Sequence, residues 1–180
     1  MKKLKKLLFR FVFCIIIVGS FSTLIVGYSE SVSNSFDWPS FRGDQQLTGV
    51  ANGRFPDDIE LLWTFETKDA IESTSAIYDG TVYVGSLDGY LYAVNLETGQ
   101  VKWKYQATDE IKSSPSVYEN TIYFGDEQGT FHAVDIQTNQ KKWIFQADAG
   151  IISSANFIDD RILFGSYDQC LYCLDAKTGV

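Results

Sequence analysis

The stretch WTFETKDAIESTSAIYDGTVYVGSLDGYLYAVNLETGQVK, residues 63–102, decides the fold because the chain repeats it in register. Trp63 recurs 40 residues later as Trp103 and again as Trp143. The same spacing holds, without gaps, for Ile71/Ile111/Ile151, Ser73/Ser113/Ser153, Gly85/Gly125/Gly165 and Thr98/Thr138/Thr178. A period of about 20–50 residues that carries aromatic, hydroxyl and glycine positions together is typical of a repeat architecture.

Each period contains four strand-like runs, which in the first copy are 75–78, 81–85, 90–95 and 101–105. Asp-Gly and Thr-Gly turns separate them, and such turns join antiparallel strands. Asn or Asp replaces some of these glycines in later copies, and both tolerate the left-handed conformation. No run has the apolar spacing of a helix. The sequence therefore predicts an all-β fold, an incomplete β-propeller of four-stranded antiparallel blades.

Residues 1–29 have the order of a secretory leader: basic residues from Lys2 to Arg10, an apolar run over 11–18, then small residues. This order predicts a signal peptide that is cleaved after Ser20 or Ser29. A retained signal anchor is the alternative, because 11–27 approaches the length of a bilayer span. Either interpretation places the repeats outside the cytoplasm, periplasmic or secreted. The bulky residues before Cys14 argue against lipidation there.

The chain after the leader is acidic. It holds ten of the 15 Lys and Arg residues and all 23 Asp and Glu residues. Such a surface repels phosphate backbones, which excludes nucleic acid as a partner class.

Three regions follow from these patterns: the leader 1–29, a linker and aromatic segment 30–58, and repeats over 59–180. The aromatic stretch 36–43 is expected to cap a hydrophobic surface. The repeats predict a lone strand near 59–65, two full blades to about Gln146, and three strands of a third. Since propellers close with about four to eight blades, we expect an N-terminal piece of a longer chain. A ring of several copies and a short open array are the alternatives, and open blade edges invite self-association.

Four sequence segments resemble the PQQ-like (pyrroloquinoline-quinone-type) β-propeller repeat family. They are Ala93-x-Asn95-x-x-Thr98-Gly99-x-x-x-Trp103 with its copy Ala133 to Trp143, the stretch 82–93, the Ser113-Ser114-Pro115-Ser116 stretch, and Trp38-Pro39-x-Phe41-Arg42-Gly43, which is similar to the opening of exported members. The resemblance covers residues 38–180 and implies the propeller fold. It says little about activity, because the tryptophan-docking motif is a packing device that enzymes and non-enzymes share.

Quinoprotein dehydrogenases of this family use calcium, an Asp base and commonly two adjacent cysteines. No two cysteines are adjacent here, and no dense acidic loop offers the six or so oxygens that Ca²⁺ needs. Asp79, Asp88, Asp159 and Asp168 are interpreted as turn formers. We therefore predict no catalytic, cofactor-binding or metal-binding residues, and no cofactor, within this chain.

Three other candidates have structural interpretations. The recurring Ser73/Ser113/Ser153 predicts a local hydrogen bond. His132 stands in the slot of Tyr92 and Tyr172 and predicts a packing aromatic. Cys170 and Cys173 replace Tyr90 and Ala93 on a strand, where residues three apart face opposite ways, which predicts two buried or half-buried thiols rather than a redox or zinc site.

The resulting hypothesis is a non-catalytic, extracytoplasmic propeller scaffold for protein or ligand binding, similar to the propeller scaffold of outer-membrane β-barrel assembly. The alternatives are an N-terminal fragment of a PQQ-dependent quinoprotein dehydrogenase and a membrane-tethered sensor domain. The expected partners are other proteins, and the membrane is a partner only through an uncleaved leader.

Overall fold

Turn residues at fixed positions cut each period into short strands. The computed structural model describes residues 37–51 and 57–180, and all regular secondary structure there is β. The leader, the linker 30–35 and the Asn52-Gly53 turn lie outside the described residues. The strands are β1 Ala76–Tyr78, β2 Thr81–Gly85, β3 Tyr90–Asn95, β4 Val101–Gln106, β5 Ser116–Tyr118, β6 Thr121–Gly125, β7 Thr130–Asp135, β8 Lys141–Gln146, β9 Asn156–Ile158, β10 Arg161–Gly165 and β11 Leu171–Asp175.

The strands form three antiparallel sheets in chain order, which we call blade 1 (β1–β4), blade 2 (β5–β8) and blade 3 (β9–β11). Equivalent residues pair in the two four-stranded blades. Ala93 lies opposite Trp103, and Ala133 lies opposite Trp143. A register shift follows Ala93 and Ala133 in both sheets. The predicted all-β, blade-by-blade fold is confirmed.

The turn between the first two strands of each blade differs in one detail from the prediction. Asp79 and Gly80 are both left-handed, with φ of 47° and 63°. In blades 2 and 3, however, the left-handed residues are Glu119 (φ 51°) and Asp159 (φ 52°), whereas the residue after each is not left-handed. The expectation that Asn or Asp takes over the conformation of Gly80 is therefore wrong for this turn. It holds for Asn139, whose φ is 56°.

The blades stack through two apolar clusters, each between consecutive blades. The first joins blade 1 to blade 2 through residues such as Tyr83, Ile111 and Phe124. The second joins blade 2 to blade 3, and in it the rings of Phe131 and Phe164 stack with centroids 3.9 Å apart. Burying one such side chain contributes roughly 1.5–3 kcal/mol, so nearest-neighbour stacking dominates the packing of the array.

Glycine at the end of the second strand sets the distance between blades. A Cβ added to Gly85 would lie 2.3 Å from Cγ2 of Ile111, and one added to Gly125 would lie 2.2 Å from Cγ2 of Ile151. The recurring isoleucine of the next repeat therefore occupies the space that a side chain would take.

The aromatic segment near residue 38 lies along the first strands of two blades. The Trp38 amide donates to the Ile77 carbonyl at 2.7 Å, and the Trp38 carbonyl accepts from the Ile77 amide at 2.8 Å. The next carbonyl, that of Pro39, accepts from the amide of Val117 in β5 at 2.6 Å. These backbone bonds join the segment to the edges of β1 and β5, while the Phe41 side chain is 42% exposed. The expected capping of a hydrophobic surface by its aromatic side chains stays a prediction.

The lone strand expected near 59–65 is not formed, because this segment pairs with no strand among the described residues. Ile59, Leu61 and Leu62 are each more than 70% exposed. β4 and β8 each pair with the preceding strand of their own blade, and among residues 37–51 and 57–180 no strand lies beside 59–65 in that way.

Candidate functional site

The recurring serines close a hydrogen-bonded clamp on the recurring glycines. The Ser113 hydroxyl donates to the Gly125 carbonyl at 2.7 Å and accepts from the Gly125 amide at 2.9 Å. The Ser73–Gly85 and Ser153–Gly165 pairs repeat both bonds. Each clamp fixes the linker before the first strand to the end of the second. The predicted structural role of the serines is confirmed.

Two of the recurring tryptophans, Trp63 and Trp143, dock onto the Thr-Gly turn of the blade that follows them. The indole N–H of Trp63 donates to the Leu96 carbonyl at 2.9 Å, and that of Trp143 donates to the Ala176 carbonyl at 3.0 Å. Each ring lies against the turn glycine, because a Cβ added at Gly99 or Gly179 would come within 2.7 Å of it. These contacts join one repeat to the next, as the motif predicts.

An aspartate in the turn between the second and third strands anchors a tyrosine in blades 1 and 3. The carboxylate of Asp88 accepts from the hydroxyl of Tyr92 at 2.7 Å, and that of Asp168 accepts from Tyr172 at 2.6 Å. Burial raises the pKa of Asp88, but bonds from Tyr92 and from the Lys68 and Tyr90 amides outweigh it and lower that pKa overall. These aspartates hold structural hydrogen bonds in addition to forming the turn.

Blade 2 replaces this pair with a buried Asp–His pair that sequence reasoning missed. Asp126 stands in the slot of Ser86 and Ser166, and its carboxylate lies 2.9 Å from Nε2 of His132. It also accepts from the amides of Thr108 and Thr130. Burial raises the pKa of Asp126, but the bond from His132 and these amides lower it overall. The sequence does hold a signal for this pair: blade 2 alone has Asp where the other two repeats have Ser, and blade 2 alone has His where they have Tyr.

His132 also packs as an aromatic between two blades. Its ring stacks on Phe124, with centroids 4.7 Å apart, and meets the edge of Tyr105 from blade 1. The Tyr105 hydroxyl lies 3.4 Å from Nδ1 of His132. His132 is only 3% exposed and Asp126 is fully buried, so the pair is placed to stabilise the junction rather than to meet a substrate.

The cysteines differ from the prediction. Cys170 and Cys173 are both free and exposed, not buried or half-buried. The reason is the edge position of β11, which pairs with β10 on one side only. In blades 1 and 2 the equivalent edge is covered by β4 and β8, where Trp103 and Trp143 lie opposite the alanines of the Cys173 slot.

One surface of the described array concentrates negative charge. We call it the linker face: the linkers 66–75, 107–115 and 147–155 together with the turns 86–89, 126–129 and 166–169, which hydrogen-bond to them. The linker face has nine solvent-accessible carboxylates and two lysines, Lys68 and Lys112. The carboxylates are Glu66, Asp69, Glu72, Asp88, Asp109, Glu110, Glu127, Asp148 and Asp168. Lys112 is itself 3.1 Å from Glu127.

A metal site requires several ligating side chains close together. Among the described residues, no group of three or more His, Cys, Asp or Glu residues could hold a metal ion. Within residues 37–51 and 57–180 there is likewise no helix that could cross a membrane.

Family membership follows from the match of residues 55–180 to the family model described as "Outer membrane protein assembly factor BamB". The chain belongs to the PQQ-like repeat family of β-propeller proteins. No curated protein sequence matches it.

Solved structures of PQQ-like and designed proteins share the fold at low identity. BamB from Moraxella catarrhalis is 21% identical, with a TM-score of 0.59 over 66% of this chain and 38% of that one. The quinohemoprotein alcohol dehydrogenase ADHIIG from Pseudomonas putida HK5 is 18% identical, with a TM-score of 0.70 over 81% of this chain and 26% of that one. The computationally designed Ika4 protein is 21% identical, with a TM-score of 0.61 over 68% of this chain and 77% of that one. The chain thus spans well under half of the two natural proteins.

Proposed function

We propose that this chain is an extracytoplasmic scaffold segment that binds other proteins and performs no chemistry itself. The observation that carries the proposal is the family match over 55–180 to an outer membrane protein assembly factor. The recurring polar residues support it, because the serine of every repeat, the indoles of Trp63 and Trp143, and the turn aspartates of blades 1 and 3 are engaged in bonds that stabilise the array. Their recurrence is explained by folding and requires no reaction.

The linker face is the surface we assign to partner binding. Besides its carboxylates it exposes three large apolar side chains, namely Ile71 at 44%, Ile152 at 38% and Tyr167 at 63%. Apolar side chains ringed by charge of one sign suit a partner that brings apolar anchors and basic residues. Charge complementarity of this kind speeds association and fixes orientation.

Site-specific photo-crosslinking in the cells that produce the chain tests this assignment. A photoreactive residue at Ile152 should capture a discrete partner, which mass spectrometry of the adduct would identify. The same residue at Glu97, on an exposed turn of the opposite surface, is the matched control and should capture little. The triple charge reversal Glu72→Lys, Glu110→Lys and Asp148→Lys should abolish capture. Equal capture at both positions, or capture that survives the charge reversal, would contradict the assignment.

Export is part of the proposal and has its own measurement. Mass spectrometry of the N-terminus of the chain recovered from outside the cytoplasm should show either cleavage near Ser20 or Ser29 or an intact leader. Recovery only from the cytoplasm would contradict it.

The second candidate is a fragment of a PQQ-dependent dehydrogenase, which the TM-score of 0.70 to a quinohemoprotein alcohol dehydrogenase favours. The described residues do not fit the calcium that this chemistry uses, because they contain no ligand cluster. A titration of the chain with PQQ and Ca²⁺, followed by tryptophan fluorescence, separates the two candidates. Saturable, calcium-dependent quenching would favour the dehydrogenase and overturn the scaffold.

A further inference from the structure

The faces that blades 2 and 3 present to the preceding blade are nearly the same. Three buried apolar positions of blade 2 pack toward blade 1, and the equivalent positions of blade 3 pack toward blade 2. Their side chains differ by one methylene group in total, in the pairs Ile122/Ile162, Phe124/Phe164 and Val134/Leu174. Apolar burial alone therefore does little to make blade 2, and not blade 3, the neighbour of blade 1. Tandem repeats are open to misassembly of this kind.

One ring contact distinguishes the two junctions. Between blades 2 and 3, Phe145 packs on Tyr172 with ring centroids 4.9 Å apart. Between blades 1 and 2, the equivalent contact joins Tyr105 to His132, with ring centroids 5.7 Å apart. The first junction thus places a hydroxyl on the preceding blade and a ring nitrogen on the following one, whereas in the second junction the hydroxyl of this contact belongs to the following blade.

The polar groups at the junction between blades 1 and 2 match each other. An ionised Asp126 can only accept, so Nε2 of neutral His132 at 2.9 Å carries the hydrogen, and Nδ1 is left to accept from the Tyr105 hydroxyl at 3.4 Å. In blade 3 the hydroxyl of Tyr172 already donates to Asp168. Tyr105 placed against blade 3 would add its hydroxyl beside a larger ring and would lose its nitrogen acceptor. The loss of a partner by a part-buried hydroxyl disfavours a contact by about tenfold.

We propose that Tyr105, His132 and Asp126 fix the order of the blades, because their hydrogen bonds make blade 2, and not blade 3, the neighbour of blade 1 during folding. The best-attested role of a buried polar group is to specify a register of this kind. The proposal does not depend on partner binding at the linker face, since it concerns contacts between blades. Its failure would leave that assignment intact.

Pairs of introduced cysteines can report which blade packs on blade 1. The Thr74 hydroxyl donates to the Ser114 hydroxyl at 2.8 Å, between the linkers that lead into blades 1 and 2, and Ser154 is the equivalent of Ser114 in blade 3. In the full chain with its three cysteines changed to Ser, Thr74→Cys with Ser114→Cys reports the correct neighbour, and Thr74→Cys with Ser154→Cys reports the wrong one. Each chain is refolded from urea in mild detergent with diamide, which takes up the two electrons and two protons that the thiols release. Peptide mass spectrometry then gives the linked fraction.

The first variant makes the two junctions alike by removing the polar contact. It carries Tyr105→Phe, Asp126→Ser, Gln128→Asp and His132→Tyr, which are the residues at the equivalent positions of the next junction. In the parent chain the wrong pair should link about tenfold less than the correct pair. In the variant, linkage of the wrong pair should rise about fivefold or more above the parent value. Linkage of the correct pair in part of the same variant shows that its blades still fold.

The second variant makes the junctions alike by the opposite change. It leaves the junction between blades 1 and 2 as in the parent and copies the polar contact into the next junction through Phe145→Tyr, Ser166→Asp, Asp168→Gln and Tyr172→His. Linkage of the wrong pair should again rise about fivefold, because Tyr105 then finds the same acceptor on blade 3. A rise in the first variant alone would show that the polar contact stabilises its junction without specifying order. That result, or a parent that links both pairs equally, would overturn the proposal.

Discussion

Gly125 sets the spacing between two blades because it has no Cβ. A Cβ added there would meet atoms of Ile151 in the next repeat, including the Ile151 backbone oxygen at 2.8 Å. Neither backbone nor a buried β-branched side chain can yield easily. The equivalent Gly165 has only the Ser153 hydroxyl near, at 3.8 Å.

Gly125→Ala should therefore destabilise the chain by about 1–3 kcal/mol through overpacking. Gly165→Ala should be neutral or stabilise slightly, because alanine loses less backbone entropy than glycine in a strand. Urea denaturation of the two variants beside the parent measures the difference. Equal free energies of unfolding for the two alanine variants would contradict the role assigned to the close approach.

Asp126 and His132 form a coupled unit that can be exchanged for the pattern of the other blades. Asp126→Ser alone should cost about 1–3 kcal/mol, since it leaves His132 buried without its carboxylate partner. The triple change Asp126→Ser, Gln128→Asp and His132→Tyr rebuilds the Asp–Tyr bond of blade 1 and should recover most of that loss. Urea denaturation of Asp126→Ser, of the double variant Gln128→Asp with His132→Tyr, and of the triple variant gives the coupling free energy between the two sets of changes. We expect about 0.5–3 kcal/mol. Purely additive effects would show that the pair has no joint role.

The docked Trp143 acts between elements, since it couples β8, the last strand of blade 2, to a turn of blade 3. Trp143→Phe keeps an aromatic ring but loses the bond to the Ala176 carbonyl, which is part-buried. We expect a loss of about 0.5–1.5 kcal/mol. Trp143→Ala should cost more because it also empties the space beside Gly179.

Thermal denaturation ranks these two variants against the parent. The matched control is Ile144→Phe, which changes the neighbouring residue on β8 where the side chain is 48% exposed, and which should leave stability almost unchanged. An alanine variant as stable as the phenylalanine variant would contradict the docking role.

The whole molecule should lose stability in acid through its turn aspartates. Asp88, Asp126 and Asp168 each have a pKa below the ordinary 3.8, Asp168 chiefly because it accepts from Tyr172. A folded pKa below the unfolded value means that the stabilisation is complete above pH 3.8 and is lost as pH falls through the lower folded pKa. The urea midpoint should fall steeply below about pH 4, and Asp168→Asn should flatten that fall. A midpoint independent of pH down to about pH 2 would contradict these shifts.

The blades could be predicted from the sequence because the residues that determine local structure occur three times at the same spacing. The strand positions, the serine–glycine hydrogen bonds, the close contact of the glycines with the next repeat and the docking of the tryptophans all follow from residues that recur every 40 positions. The Asp126–His132 pair was missed because it exists in one copy only, so averaging over repeats hides it. The prediction that Cys170 and Cys173 are buried or half-buried is wrong. Alignment of the repeats shows which position of a blade each cysteine occupies, but it does not show whether a strand pairs with the outer edge of β11.

The separate apolar clusters at the two blade junctions have a kinetic consequence. Blade 2 contributes to both clusters, whereas blades 1 and 3 each contribute to one of them. In a stack of blades, local opening begins in the blades that bury the fewest contacts with their neighbours. Amide protons of β6 and β7 should therefore exchange with deuterium last, and those of β10 and β11 early, so that the central blade survives longest when the array frays.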